Sequence, residues 1–163
     1  MKKTLINLGI FQLGWFVCVL GGNLYALAYT VLALLLHHFY LVEKRTEWQL
    51  IFIILLVGSL WDLLMVQVGV IAYVDADILG LPLWLICLWA LFATTFLHGL
   101  FWISRYLWLA MLFAAVFGPA SYWAGSQLEQ AYFQLPLMNA MALMAIGWAL
   151  LFPAAMMLAR RYK

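Results

Sequence analysis

Between Thr4 and Val42 the chain carries no Asp, Glu, Lys or Arg. That run is too long for one crossing of a bilayer, because about 30 Å of hydrocarbon takes roughly 20 helical residues. Gly21-Gly22-Asn23 falls in the middle of it and supplies a turn, so the run reads as two apolar helices. Of the 163 residues, 69% are hydrophobic, 17% aromatic and only 9% charged. So little polar surface cannot cover a core in water. Lipid is the solvent this sequence requires.

The same reasoning divides the rest of the chain. Helices are expected over about 4–20, 24–42, 48–73, 82–104, 106–125 and 137–158. Asp75-Ala76-Asp77 closes the third, Pro82 suits the first turn of the fourth and Pro136 opens the sixth. Six spans use nearly the whole length and leave no room for a catalytic domain outside the membrane. Residues 1–163 therefore read as a single domain, all-α and polytopic, with six transmembrane helices. The Lys2-Lys3 start resembles a signal peptide, but Leu20-Gly21-Gly22-Asn23 is a poor cleavage site and the helix is read as retained.

Charge sets the orientation. All eight Lys and Arg residues fall before the first span, in the second and fourth connections, or in the tail. Basic segments resist translocation, so that side is read as cytoplasmic and both termini are expected inside a bacterial inner membrane. The net charge of +2 belongs to those flanks, which argues against a nucleic-acid partner.

Asp62 is the one charged residue embedded in a span. An ionised carboxylate near the midplane is costly, so it must be protonated, paired or beside water. It is either a carboxyl that binds substrate or handles protons, or an acid that bonds a neighbouring helix. Gly58 and Gly69 share its face and admit close packing. Ser121 and Tyr122 with Gly118 and Gly125 form a small polar stripe on the fifth helix, where Pro119 loosens the ladder. Thr94 and Thr95 reach a similar depth on the fourth, with His98 a turn nearer the cytoplasm, and the first helix adds Asn7, Gly14, Cys18 and Gly21. Any one stripe is ordinary helix packing. Their common depth points to a polar pocket at midplane.

Other chemistries find little support. His37, His38 and His98 match no zinc signature and are too few for a di-iron histidine box. His37 and His38 read as interfacial, His98 as a donor to a neighbouring helix or a proton exchanger. No metal and no cofactor is expected. No serine sits in G-x-S-x-G, and a two-aspartate intramembrane protease would need a second acid in the bilayer. Cys18 and Cys87 both fall near the outer surface, where either a disulfide or two small packed thiols is consistent.

Several segments together resemble a known family: N-x-x-x-F-Q-x-x-W from Asn7, W-D-x-x-x-x-x-x-G from Trp61, P-x-W-x-x-x-L-W-x-x-F-A-T-T-x-x-H from Pro82, and G-P-x-x-Y-x-x-G from Gly118. With Asp62, Pro82, Trp84, Trp89, Thr94, Thr95, His98, Pro119 and Tyr122 as its anchors, the chain is similar to the bacterial inner-membrane family catalogued as domain of unknown function 2878. That resemblance implies a small polytopic membrane protein, and an association of the family with lipid-modifying enzymes implies lipid metabolism. The family pattern often places Asn before the His, where this chain has Leu97.

The expectation is a protein that handles a lipid or a small amphipathic molecule in a midplane pocket built by Asp62, Thr94, Thr95, His98, Ser121 and Tyr122. Membrane lipids are its expected partners. Two alternatives stay open: a non-catalytic membrane subunit or assembly factor bound to a membrane-protein partner, and an intramembrane hydrolase resembling the lysoplasmalogenases, in which an Asp activates water.

Overall fold

The computed structural model describes residues 2–163. The fold is mostly helical: α1 (Lys2–Tyr40), α2 (Glu47–Gln67), α3 (Leu83–Ala93), α4 (Leu107–Gln127) and α5 (Leu137–Tyr162), with a two-stranded ribbon of β1 (Ile71–Tyr73) and β2 (Ala131–Phe133). Four of these helices, α1, α2, α4 and α5, are long and apolar enough to cross a membrane.

Helix α1 is broken where the glycines stand. Gly22 has φ 70° and ψ −173°, a conformation that side chains with a Cβ essentially never adopt. The two arms fold back on each other: Tyr29 in the second donates its hydroxyl to the carbonyl of Ile10 in the first at 2.7 Å, and its ring lies over Gly14. Asn23 then serves the next element, because its Oδ1 accepts from the Trp84 N–H at 2.9 Å in the first turn of α3. That caps a helix whose own N-cap residue, Pro82, has no side chain able to do so.

Two helices end earlier than periodicity suggests. The third expected helix stops at Gln67, Gly69 takes φ 71°, and the chain continues as β1 instead of remaining helical to Tyr73. Strand β1 pairs antiparallel with β2, Ile71 opposite Phe133 and Tyr73 opposite Ala131. The ribbon thus ties the ends of α2 and α4 together and turns Tyr73 into the core. The fourth expected helix stops at Ala93. Thr94 and Thr95 return their hydroxyls to the carbonyls of Leu91 and Phe92 at 2.7 and 2.6 Å, and a turn plus a short 3-10 segment (Phe101–Arg105) replaces the last helical turns.

That irregular stretch is buried: Thr95, Phe96, Leu97, Ile103 and Ser104 expose almost nothing. Non-helical backbone inside a membrane protein must find partners within the protein. Asn7 provides them, donating Nδ2 to the carbonyl and hydroxyl of Thr94 and accepting the Gly99 N–H on Oδ1 at 3.0 Å. Arg160 donates to the carbonyl of Ser104.

Helix α3 packs between α1 and α2, while α4 and α5 pack on each other. The core divides along the bundle. One cluster joins Cys18, Met65, Ile71, Trp84 and Tyr122 beside the ribbon; the other joins Leu50, Phe96, Ala110, Phe152 and Met156 at the opposite end. Cys18 and Cys87 are buried free thiols. Outward faces are apolar, as Leu32, Leu60, Val116 and Leu150 illustrate, and such faces need lipid to cover them.

Candidate functional site

The site is built around Asp62, which exposes no surface. Three neutral donors converge on it from three elements. Tyr122 of α4 donates to Oδ1 at 2.7 Å, Tyr73 of β1 to the same oxygen at 3.2 Å, and the Trp89 indole of α3 to Oδ2 at 2.5 Å. No cation among the described residues takes part. The carboxyl group is accommodated by hydrogen bonds alone, which is the pairing that its depth demands.

Glycines make this convergence sterically feasible. A Cβ on Gly58 would lie 2.1 Å from the Trp89 ring, one on Gly118 2.4 Å from Trp148, and one on Gly147 1.9 Å from Trp61. Helices α2, α4 and α5 therefore each receive an indole where a glycine removes the obstacle. Trp89 and Trp148 stack at 5.5 Å with 13° between their planes. The expected close packing at Gly58 is thus side chain on backbone: its absent Cβ lets Trp89 lie flat and reach Asp62, one helical turn away.

Beside this cluster lies a cavity of about 520 Å³. Phe11, Gln12 and Trp15 of α1 form one wall and Phe113, Phe117 and Ser121 of α4 another. These two helices are not packed on each other, and Gln12, Phe113 and Phe117 are exposed, so the cavity is a cleft open along the flank of the bundle. Its walls are mostly apolar and aromatic. Asp62, Tyr73, Gln12, Ser121 and Tyr122 are the polar exceptions. Ser121 donates its hydroxyl to the Gly118 carbonyl at 2.6 Å, which leaves its oxygen as an acceptor.

Of the residues expected to share one pocket, Asp62, Ser121 and Tyr122 line this cleft. Thr94, Thr95 and His98 do not. Because α3 ends at Ala93, Thr94 turns towards Asn7, Thr95 is buried against its own backbone, and His98 is carried to the other end of the molecule. Tyr73, Trp89 and Gln12 are the members that sequence reasoning missed. Tyr73 and Trp89 carry donors on otherwise apolar segments, which is the available signal for partners of a buried acid.

A second polar cluster occupies the end opposite the ribbon. His37 and His98 both direct Nε2 at Oε1 of Glu47, at 2.8 and 2.5 Å. All three side chains are nearly inaccessible, at 2%, 4% and 4% exposure for His37, His98 and Glu47. His37 is therefore a buried member of this cluster and not an interfacial residue. Only His38 remains exposed. His98 also lines a polar cavity of about 500 Å³ with Lys3, Glu43, Arg105 and Lys163. Lys163 donates to Glu43 at 3.2 Å and Lys3 lies 3.8 Å from it; the hydrogen bond and charge of Lys163 hold the Glu43 carboxyl below the usual carboxylate range.

No curated protein and no solved structure matches the chain. A family model described as a protein of unknown function (DUF2878) does, over residues 4–154. The match takes in Asp62 with its three donors as well as His37, Glu47 and His98, and on that extent the chain belongs to the DUF2878 family.

Proposed function

We propose that this chain is a six-pass protein of a bacterial cytoplasmic membrane, with both termini inside, that holds a lipid or another amphipathic molecule in the cleft between α1 and α4. The observation that carries the reading is the cleft itself: about 520 Å³, aromatic, open along the bundle flank, with an acid and a few polar groups at its inner wall. Ligand sites combine apolar walls with a few convergent polar groups. A flank opening in a membrane protein admits molecules that already reside in the bilayer.

The six passes follow if each arm of α1 crosses once and α3 crosses together with the buried stretch that follows it. The positive-inside rule supplies the orientation.

Native mass spectrometry on the full chain released from lipid nanodiscs tests the cleft. Wild type should retain a bound lipid, and Ala120→Phe, which fills the α4 wall, should lose it while remaining folded by circular dichroism. Equal retention by both proteins would remove the cleft as the site. The alternative, a non-catalytic subunit or assembly factor, draws on one observation, the complete hydrogen bonding of Asp62 within the chain. Under that reading Asp62→Asn would fold and complement a deletion fully.

A further inference from the structure

We propose that His37, Glu47 and His98 bind one divalent transition-metal ion, zinc by its chemistry, at the basic end of the bundle. This site is separate from the cleft and does not depend on what the cleft holds. It also departs from the expectation, drawn from spacing along the chain, that there is no metal.

Spacing fails here because the three ligands come from three elements. His37 ends the second arm of α1, Glu47 opens α2, and His98 lies in the buried turn after α3. Folding brings one ligand atom from each within 4.8 Å of the others. Both imidazoles present the same nitrogen, Nε2, to the same carboxylate oxygen. Two imidazoles and one carboxylate, with a fourth position left over, form a donor set that zinc uses. Imidazole nitrogens also exclude calcium and magnesium, which prefer oxygen. Sites that use the same three ligands for iron keep several open positions, whereas side chains with 2–4% exposure leave little space around an ion. Four-coordinate zinc fits that confinement.

Charge balance leads to the same conclusion. Glu47 is a buried carboxylate whose near partners are histidines, not Lys or Arg, so its charge must be met by protons on imidazole or by a cation. A divalent ion does so without drawing protons into an apolar surrounding, and its ligands are the neutral imidazole and ionised carboxylate forms. Access is available, since His98 lines the polar cavity at this end.

The competing account is a hydrogen-bonded His–Glu–His cluster with no ion, and the two separate experimentally. Tag-free full-length protein in nanodiscs is stripped with a chelator, incubated with Zn2+, desalted and analysed for metal. Wild type and His38→Asn should each retain close to one equivalent. Glu47→Gln and His98→Asn, which keep similar shape and hydrogen-bonding capacity, should retain almost none. Co2+ should give the stripped wild type a visible ligand-field absorption that added Zn2+ abolishes, and this second measurement needs no variant to fold. Retention by wild type no greater than by His98→Asn, loss of the ion in His38→Asn, or a Co2+ sample without absorption that Zn2+ displaces would each overturn the site in favour of the ion-free cluster.

Discussion

Asp62 has three donors and no base, and that arrangement decides how substitutions behave. In Asp62→Asn the amide oxygen can keep the Trp89 indole, while Nδ2 faces two tyrosine hydroxyls that can rotate to accept. Trp89 keeps its acceptor and each tyrosine hydroxyl keeps a hydrogen bond as an acceptor, although its own proton loses Asp62, so the variant should fold. Asp62→Leu orphans the Tyr73, Trp89 and Tyr122 donors together. A buried donor left without a partner costs about 1–3 kcal/mol, so three in one place should lower the thermal midpoint far more in Leu than in Asn. Paired melts in the same detergent measure the difference. Similar midpoints would mean that water reaches the carboxyl through the cleft and replaces the lost acceptor.

Helix ends are the elements that sequence reasoning located least well. The break in α1 is legible because Gly21-Gly22-Asn23 interrupts an apolar run, and only glycine suits the conformation found at Gly22. The end of α3 is not legible in the same way. Thr94, Thr95 and His98 interrupt the apolar residues between Leu83 and Ile103, but a Thr pair or a single His inside an apolar run does not by itself mark where a helix stops. The decision is tertiary: Asn7, on another helix, supplies the partners that the unwound backbone requires. Asp62, Ser121 and Tyr122 stay at one site because they lie on intact helices, where the 3.6-residue period holds. Thr94, Thr95 and His98 leave it because they follow the unwinding. Asn7→Leu, close in size to the amide, should therefore destabilise the protein by about 1–3 kcal/mol, the cost of a stranded buried Gly99 N–H. Faster hydrogen exchange confined to residues 94–105 would locate the damage; uniform exchange across the chain would assign Asn7 to general packing instead.

At the scale of the molecule the charges are segregated. Lys3, Lys44, Arg105, Arg160 and Lys163 gather at one end, where Glu43 and the carbonyls of Ser104 and Lys163 accept from them, whereas Asp77 meets Asn23 at the other end beside the ribbon. The tie between Glu43 and Lys163 makes the basic end sensitive to acid. A carboxyl held below its ordinary value stabilises the fold above the unfolded pKa of roughly 4.3, and that contribution is lost as pH falls through the folded value. Exposure keeps the effect small. Glu43→Gln should accordingly show a shallower loss of thermal midpoint than wild type between neutral and acid pH, with the curves converging at the acid limit.

The same segregation makes orientation testable without knowledge of activity. If the basic end faces the cytoplasm, as proposed from the cost of translocating Lys and Arg, Thr46 lies inside and Ala76 outside. Both positions are exposed, and the native thiols, Cys18 and Cys87, are buried and can be replaced. In intact cells Ala76→Cys should react with a membrane-impermeant maleimide, and Thr46→Cys should react only after permeabilisation. A second pair separates six passes from four. Were α1 a single crossing, Lys3 and Glu43 would stand on opposite faces of the bilayer; in the fold they approach to 3.8 Å, which is the arrangement that the six-pass proposal expects. Cysteines at Lys3 and Glu43 should therefore be protected alike in intact cells and should crosslink to each other once the membrane is opened. Labelling of Thr46→Cys before Ala76→Cys would invert the protein in the membrane, and protection of only one of the two α1 ends would remove the hairpin on which the six-pass arrangement depends.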